Sequence, residues 1–257
     1  MTVGFPVDQA VMSRIHRMRV PHALEVAALH HADMGNSLWA RLGRRFLETL
    51  YRALLESRWF LGFVYIEDGR LGGFVAATTN GRRMFADVLR RRAIPLLLRA
   101  AQGVMRDPSI LLPLLSTPFY FLRSRARPSE AEATRANHPP DAAPALADAA
   151  DRDGTESLFC SFMPELRGRR ISGHINKVLF DELAWRGHAT VKVTTEVDNE
   201  GAVRQLTHWG FRRCRSFRFY EKDMWVFVLD LRASPRVEAQ RHPCADSGPG
   251  EETSPGR

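Results

Sequence analysis

The sequence predicts an α/β fold in which helices pack on a mixed β-sheet. From residue 157 onward the hydrophobic pattern alternates between strand and helix, and it ends on two consecutive strands. Two helical segments precede a hairpin whose turn is Asp68-Gly69. With 257 residues, of which 44% are hydrophobic, the chain is long enough to bury one core.

The N-terminal part contains a short strand and two helices. The strand is predicted at 15–18, and Pro21 stands where the first turn of the next helix tolerates proline. A longer helix is predicted at 36–57, with Asn36 or Ser37 as its N-cap. Its apolar face recurs at four-residue spacing and comprises Leu38, Leu42, Phe46, Leu50 and Leu54.

The next segment changes to alternating periodicity and then returns to a helical one. Residues 60–79 are predicted to form two strands joined by the tight turn. Residues 82–127 are predicted to be a basic helical insert that prolines interrupt. We expect this insert to pack on the core and extend its arginines to solvent. A weak peripheral contact with membranes through the same residues is the alternative.

Two segments have the composition of disordered chain. Residues 128–155 consist mainly of Ala, Pro, Glu, Asp and Ser with almost no large apolar side chain, so a disordered linker is predicted. Residues 233–257 have a similar composition and are predicted to be a disordered tail. The ordered chain is then one domain within 1–232.

Composition and charge limit the classes of function. The net charge of +8 and the pI near 10.1 favour anionic partners, although an arginine-rich proteome explains them equally well. Three scattered cysteines are too few for a disulfide framework or a zinc site, so no metal is predicted. Cys160 and Cys214 are expected to be small core residues, and Cys244 to be exposed.

The same composition makes predictions about location and partners. No secretory signal and no transmembrane segment is evident, so a cytoplasmic location is predicted. The arginines do not interleave with aromatic residues as they do in nucleic-acid-binding modules, and no nucleic-acid partner is expected. The sequence leaves the oligomeric state open.

The strongest chemical signal lies between the strand predicted at 157–163 and the helix predicted at 172–186. The stretch RGRRISG, Arg167 to Gly173, places arginines and small residues where that helix begins. The first amide N–H groups of a helix lack intrahelical partners and carry partial positive charge, so they bind phosphate groups. The loop therefore predicts an anion-binding site.

This loop resembles motif A of the GCN5-related N-acetyltransferases (GNAT), whose pattern is Arg or Gln, two residues, Gly, one residue, then Gly or Ala. Arg167 matches the first position and Ser172 substitutes at the last, whereas Arg170 replaces the central glycine. The preceding Phe162-Met163-Pro164 also fits the family pattern. We expect Arg170 to adopt an ordinary helical backbone with its side chain outward, so that the amides bind as usual.

A second stretch, WRGHATVKVTTEVDNEGAVRQLTHWGFRRC, is similar to motif B of the same family, in which a strand ends in Asn and a short helix ends in Gly-Phe. The matching residues are Asp198, Asn199, Ala202, Gly210 and Phe211. The two partial motifs occur in the family's order and cover about 157–220, and the earlier elements follow the family's order as well. On these residues the chain is identified as a member of the GNAT superfamily.

The resemblance implies a mostly antiparallel sheet in which two parallel strands splay into a V, with helices on both sides. It also implies acetyl-coenzyme A as co-substrate, with its pantetheine arm between the splayed strands, an amine acceptor, and no metal. The implied contacts are the backbone of Ser161, Phe162 and Met163, the pyrophosphate loop of Arg167, Gly168, Arg169, Arg170, Ile171, Ser172 and Gly173, and Asn199 beside the pantetheine arm.

The resemblance also directs the search for an acid and a base. The family's usual Tyr acid corresponds to Leu206, which cannot donate a proton. Glu156 is the first candidate base, although a solvated linker carboxylate is an equal alternative, and Glu196 is the second. The stretch HHAD, 30–33, falls where the family lines its acceptor site, or is simply a solvated helix end.

The predicted function is therefore an acetyl-coenzyme A-dependent N-acetyltransferase. Its acceptor would be a primary amine of a small molecule, an amino sugar or a protein. The alternative is a catalytically silent module of the same fold that binds acyl-coenzyme A or a partner protein. Arg170 and Leu206 favour this alternative.

Overall fold

The computed structural model describes residues 7–35, 37–112, 114–115, 144–219 and 222–232. The strands are β1 Ile15–Arg17, β2 Phe60–Glu67, β3 Arg70–Thr78, β4 Glu156–Phe162, β5 Thr190–Glu196, β6 Arg212–Phe219 and β7 Lys222–Asp230. They form one seven-stranded sheet in the order β1-β2-β3-β4-β5-β7-β6. Every neighbouring pair is antiparallel except β4 and β5, which are parallel.

Helices cover both faces of this sheet. They are α1 Gln9–Met12, α2 Ala23–Asp33, α3 Leu38–Arg41, α4 Arg44–Leu55, α5 Gly81–Arg106, α6 Pro144–Asp153, α7 Ile171–Trp185 and α8 Glu200–His208. The predicted mixed, mostly antiparallel sheet with flanking helices is confirmed.

The alternation of side chains along β3 separates two hydrophobic cores. Phe74 is fully buried against α2 and α4. Leu47 and Tyr51 of α4 are also inaccessible to solvent. The next residue, Val75, points to the opposite face and belongs to the core formed with α7 and α8. The sheet is therefore covered on both sides around the strands that precede β4.

The hairpin of β2 and β3 forms as predicted. Asp68 and Gly69 both have positive φ, at 51° and 73°, which is the conformation that the two-residue turn needs. The two strands pair from Phe60 opposite Thr78 to Glu67 opposite Arg70, with one irregularity near Tyr65. The hairpin prediction is confirmed because this turn chemistry is entirely local.

The prediction of a single helix at 36–57 is wrong in one respect, because this segment forms two helices. Gly43 separates α3 from α4 with a φ of +97°. Gly103 of α5 approaches this break so closely that a Cβ there would lie 2.7 Å from the carbonyl oxygen of Leu42. The four-residue apolar spacing runs through the break, so periodicity alone did not reveal it.

The insert predicted at 82–127 is helical over the part that the structure describes. The long helix α5 contains Pro95, and Arg92 three residues earlier leaves helical geometry with φ −136°. Proline removes a backbone donor and crowds the preceding turn, which accounts for a kink there. Leu96 and Ala100 pack on the core. Residues 116–127 lie outside the described residues.

The linker predicted at 128–155 is wrong over its last third. Residues 144–153 form α6, on which Ala147 and Ala150 are buried against Val226 and Val228 of β7. Alanine has the highest helix propensity and buries without loss of side-chain entropy, so an alanine-rich segment can dock where large apolar residues are absent. Residues 128–143, like the tail at 233–257, lie outside the described residues.

Candidate functional site

The parallel strands β4 and β5 pair over only two residues and then diverge. Glu156 lies opposite Lys192 and Ser157 opposite Val193, and no further pairs follow in the described chain. The divergence coincides with a bulge, because the partners of Ala76 and Ala77 on β3 are Phe159 and Ser157, which leaves Leu158 as an extra residue. Beyond the bulge one edge of β4 faces a gap.

The open edge of β4 presents main-chain groups to this gap. Met163 donates its N–H to the carbonyl of Gly72 at 2.8 Å, so its N–H is directed at β3. Alternation in an antiparallel pair then turns the main chain of Ser161 toward β3 and that of Phe162 toward the gap. Of the three residues predicted to offer backbone groups, Phe162 is the one that the pairing leaves available.

Phe162 is held in place by its side chain. Its ring lies directly over Gly73 of β3, where a Cβ would come within 2.1 Å of the ring carbon Cδ1. Gly73 is the residue paired with Phe162 in the sheet. The glycine therefore leaves the room that this aromatic ring occupies.

The loop after β4 leads to the N-terminus of α7. Gly168 has φ +79° and Arg170 has φ 59°. The N–H groups of Ile171 and Ser172 have no hydrogen-bond acceptor among the described residues, whereas those of Gly173 and His174 bond to the carbonyl of Arg170. Free amides at the start of a 15-residue helix form an anion-binding end.

The expected backbone of Arg170 is wrong. Its φ of 59° and ψ of 9° place it in the left-handed region, and it is the N-cap of α7. A residue with a Cβ in this conformation costs about 1–2 kcal/mol relative to a right-handed one. The turn keeps the geometry that a glycine would adopt freely, so the substitution from the family's glycine is accommodated with strain.

The arginines of the loop are anchored to two different elements. Arg167 donates to Asp33 at the end of α2 at 2.8 Å. Arg169 donates twice to Glu67 at the end of β2, at 2.8 and 2.9 Å, and it holds the pKa of Glu67 below its usual value. These pairs brace the loop against the body of the protein.

The strand order, the bulge in β4 and the gap beside β4 belong to one arrangement. The gap ends at the free amides of α7. An antiparallel run β1 to β4 is followed by a parallel, splayed β5, and α7 connects the two splayed strands. The splayed parallel pair expected from the sequence resemblance is present. This is the architecture that the resemblance to the GNAT superfamily implies.

Comparisons with known proteins found similar solved structures at low sequence identity. No family model matches the sequence, and no curated protein matches it. Among solved structures, the ribosomal-protein-S18-alanine N-acetyltransferase of Escherichia coli is 13% identical, with a TM-score of 0.46 over 84% of this chain and 92% of its own. An N-acetyltransferase of Staphylococcus aureus Mu50 is 13% identical, with a TM-score of 0.49 over 84% and 97%.

A polyamine N-acetyltransferase of Drosophila melanogaster is 15% identical, with a TM-score of 0.47 over 84% of this chain and 98% of its own. All three likenesses concern the fold and not the substrate. The fold assignment rests on the strand order and the splay of this chain itself.

The expectation that Cys160 is a core residue is wrong, whereas Cys214 is buried as predicted. Cys160 is exposed to solvent although it lies on β4 and accepts a hydrogen bond from Asn176 of α7 at 3.4 Å. The divergence of β5 accounts for this exposure.

The two candidate bases lie at opposite ends of the splayed pair. Glu156 is at the closed end, where its carboxylate is 3.4 Å from Nζ of Lys192. At about 3.3 Å per residue, six residues along β4 separate it from Phe162 by roughly 20 Å. Glu196 ends β5 on the open side and pairs with Lys222. Glu156 and Glu196 therefore stand as the two candidate bases, one toward each end of the gap.

Two residues of the second motif stabilise α8 and its packing. The Oδ1 of Asn199 accepts from the N–H of Ala202 and caps the helix. Leu206 is buried in the core against α7, which agrees with its inability to serve as an acid. Gln205 donates to the hydroxyl of Ser172 at 3.0 Å and so joins α8 to the first turn of α7.

Asp33 is not among the individually predicted cofactor-binding or catalytic residues. Its carboxylate accepts from the hydroxyl of Ser161 at 2.7 Å and from Arg167 at 2.8 Å. It therefore connects α2, β4 and the loop at the open end of the splay. The only sequence signal was its position in HHAD, the segment that the family resemblance places at the acceptor side.

His30 of the same segment is fully buried. Its Nδ1 shares a hydrogen bond of 2.7 Å with the hydroxyl of Tyr51, and its ring contacts Phe159 of β4 at a centroid distance of 4.8 Å. Its Nε2 is buried and has no hydrogen-bond partner among the described residues. Burial lowers the pKa of His30 to about 4, so the imidazole is neutral at physiological pH.

None of the helices in the described ranges combines the length and the hydrophobicity that a membrane-spanning segment needs. Within the same residues no group of three or more His, Cys, Asp or Glu side chains is arranged to hold a metal ion.

Proposed function

We propose that the protein is an acetyl-coenzyme A-dependent N-acetyltransferase that transfers the acetyl group to a primary amine. The observation that carries this proposal is the continuity of the gap with the anion-binding helix end. The unpaired edge of β4 ends at Phe162, and the free N–H groups of Ile171 and Ser172 follow after one short loop. The pantetheine arm of acetyl-coenzyme A is extended and carries amide groups, which match the unpaired edge of β4. The pyrophosphate at the end of this arm matches the free N–H groups of α7.

In this proposal the protein contributes to the reaction mainly by holding acetyl-coenzyme A in position. The pantetheine amides add to the open edge of β4 as an extra strand, with the main chain of Phe162 as partner. The pyrophosphate binds the first amides of α7. Because Arg167 and Arg169 are already held by Asp33 and Glu67, the loop is formed in advance and little conformational entropy is lost on binding.

The reaction needs an uncharged amine at the acetyl carbonyl. The amine nitrogen forms the new C–N bond, the C–S bond breaks, and the coenzyme A thiolate leaves. The amine must lose one proton to a base, for which Glu156 and Glu196 are the candidates, either directly or through water. With Leu206 in the usual acid position, the thiolate leaves without a side-chain donor from α8, or takes its proton from solvent.

Isothermal titration calorimetry with acetyl-coenzyme A tests the binding step, and a thiol-release assay against small amines, amino sugars and peptide N-termini tests turnover. Glu156→Gln and Glu196→Gln are compared in the same assays. The variant that loses kcat while its acetyl-coenzyme A affinity stays unchanged identifies the base, and the other variant is its control. Absence of acetyl-coenzyme A binding would contradict the proposal outright.

Cys160 reports on the gap without any assumption about turnover. Saturating acetyl-coenzyme A should protect Cys160 from alkylation, measured by mass spectrometry of its peptide at a pH above neutral. The buried Cys214 is the internal control for partial unfolding. Equal alkylation of Cys160 with and without ligand would show that acetyl-coenzyme A does not occupy the splay.

A catalytically silent acyl-coenzyme A-binding module is the second candidate. The strained Arg170 and the apolar Leu206 favour it. Binding and Cys160 protection without thiol release for any amine of the panel would select this candidate. A cytoplasmic location stays a prediction from the sequence.

A further inference from the structure

Helix α5 is apolar on two opposite sides. Its inner side packs on the core through Leu96 and Ala100. On its outer side Ile94, Leu98 and Met105 are 74%, 61% and 74% exposed, and Leu97 beside them is 66% exposed. The spacing of four and seven residues places Ile94, Leu98 and Met105 on one line along the helix. These four residues are called the outer stripe.

The outer stripe is unusual for an exposed helix face. A solvated face normally carries polar side chains, whereas contiguous exposed apolar residues mark an interaction site. Trp185, by contrast, is 75% exposed but is the single large apolar residue of α7 that is exposed. The outer stripe therefore indicates a partner that presents apolar surface.

A basic cleft lies alongside the outer stripe. It has a volume of about 380 Å³ between α4 and α5 and is lined by Arg45, Glu48, Thr49, Arg52, Arg92, Pro95 and Arg99. Pro95 and Arg99 each follow a residue of the outer stripe directly, and consecutive helical residues point about 100° apart. One residue of each pair thus faces outward while its neighbour lines the cleft.

The charges in this basic cleft are only partly compensated. Arg52 pairs with Glu48 at 2.8 Å, and Arg92 pairs with Glu56. Arg45 and Arg99 have no carboxylate partner in the part of the chain that the structure describes, and Arg99 donates only to Gln102 at 3.0 Å. Two guanidinium groups are therefore available to an anion.

The whole of α5 has the same charge bias. Between Gly81 and Arg106 there are seven arginines and one acidic residue, Asp87. A second copy of this chain carries the same net charge of +8, and its arginines would be repelled. A partner with both apolar depth and negative charge at its surface fits the helix better.

We propose that the outer stripe of α5 docks on an anionic phospholipid surface, with a lipid phosphate bound between Arg45 and Arg99. The apolar side chains enter the boundary between headgroups and acyl chains, and the arginines remain at the level of the phosphates. The helix lies on the membrane and does not cross it. This inference does not depend on the proposed acetyl transfer.

Vesicle flotation of the full chain tests the proposal. The protein should float with vesicles of phosphatidylcholine mixed with phosphatidylserine and remain unbound with phosphatidylcholine alone. High salt should weaken the binding, because the arginine contribution is screened. Equal binding to both vesicle types, or to neither, would overturn the proposal.

Two sets of variants separate the apolar and the electrostatic contributions. The triple variant Ile94→Ser, Leu98→Ser and Met105→Ser should lose vesicle binding at least about tenfold, since each apolar group contributes by its buried area. Replacement of Arg45 by Gln should weaken binding about fivefold, as expected for one arginine at an anionic surface. Arg99→Gln should behave like Arg45→Gln.

Matched controls carry the same substitutions elsewhere. Trp185→Ser removes an exposed apolar residue from α7, and Arg218→Gln removes an exposed arginine from β6, and neither should change vesicle binding. Wild-type binding by the triple variant would overturn the proposal. If the triple variant instead lowers the melting temperature strongly, the outer stripe is covered within the chain, which would also overturn it.

Two other ligands of this surface, a second copy of the chain and a free phosphate, would give different results with the same protein samples. A dimer of the wild type that the triple variant converts to a monomer, measured by light scattering without lipid, would assign the outer stripe to a second copy. Glycerophosphoserine has the headgroup without acyl chains. If it binds as tightly as the vesicles, the basic cleft takes a free phosphate and the outer stripe has no part in binding. Either result would replace the membrane proposal.

Discussion

The two ends of the β4–β5 pair differ in how their polar groups are used. At the closed end the carboxylate of Asp153 accepts from His188 at 2.7 Å and from the N–H groups of Ala189 and Thr190 at 2.8 and 2.9 Å. At the open end the N–H groups of Ile171 and Ser172 have no acceptor among the described residues. One end is satisfied internally, and the other is available to a ligand.

The groups that stabilise the fold therefore lie at the closed end of the β4–β5 pair, and the groups that are free to bind a ligand lie at its open end. Burial opposes the charge of Asp153, but its hydrogen bonds to His188, Thr190 and Ala189 outweigh that effect and hold its pKa at about 2. The open end leaves amides free because β5 turns away after the bulge at Leu158. Substitutions at the closed end should therefore change folding, and substitutions at the open end should change binding.

The largest effect is expected at the closed end. Asp153→Ala removes the acceptor for the partly exposed imidazole of His188 and for two backbone N–H groups, so it should lower the free energy of unfolding by about 3 kcal/mol. Urea titration measures this change. Asp148→Ala, on the exposed side of α6, is the control and should have almost no effect. An equal loss in both variants would show that α6 as a whole, and not the Asp153 carboxylate, carries the stability.

The second effect concerns pH and lies on the open side. The pKa of His30 is lowered to about 4 in the folded protein, against about 6.5 in the unfolded chain. The unfolded state then binds more protons between these values, so stability falls as the pH is lowered from about 6.5 to 4, by roughly 3 kcal/mol.

Urea titrations across this pH range measure the loss for the wild type and for His30→Gln, which cannot titrate but retains a hydrogen-bonding side chain. The variant should lose much less stability between the same pH values. Parallel curves for the two proteins would assign the pH dependence to other groups. This comparison shows whether the buried imidazole of His30 makes the stability of the open side depend on pH.

The third effect separates folding from binding at one residue. Ser172→Asp puts a negative charge in the first turn of α7, which should raise the free energy of unfolding by up to about 1 kcal/mol through the helix dipole. The same charge should weaken acetyl-coenzyme A binding at least about tenfold by repelling the pyrophosphate.

Calorimetry and urea titration on Ser172→Asp and on the uncharged control Ser172→Asn measure the two changes. Asn should leave both quantities close to the wild type. Unchanged affinity in the Asp variant would remove the pyrophosphate from the N-terminus of α7. A loss of stability together with affinity would mean that the loop itself is disturbed.

The smallest effect is expected at Arg170. Arg170→Gly relieves the left-handed strain but increases the entropy of the unfolded chain, so the net gain in stability should be below about 1 kcal/mol. Arg170→Ala keeps the strain and removes the charge. If both variants weaken acetyl-coenzyme A binding equally in calorimetry, the guanidinium itself contacts the ligand. Wild-type affinity in both variants would show that the side chain has no part in binding.

The elements that follow from local chemistry were predictable from the sequence. The hairpin turn at Asp68-Gly69, the helix after the basic loop and the order of the last strands all depend on short-range patterns. The helix α6 was not predictable, because its stability comes from Asp153 and from alanines that meet a distant β7. Low hydrophobicity suggested disorder there, and tertiary contacts overrode it.

The candidate site shows the same division. The residue types of the loop at 167–173 indicated an anion site. The roles of Asp33 and Glu67 depend on pairs that join residues more than one hundred positions apart, as with Asp33 and Arg167. The exposure of Cys160 depends on where β5 leaves β4. None of these contacts has a signal in local sequence.

The sequence by itself determined the alternation of strands and helices, the basic loop at the start of α7, and the excess of arginines on α5, since each is set by residue type and spacing. The tertiary structure decided that Phe162 faces a gap, that Arg170 is left-handed, and that the apolar side chains of α5 lie outward. These outcomes depend on which strands separate and which helix faces find a partner, and packing across the whole chain sets both.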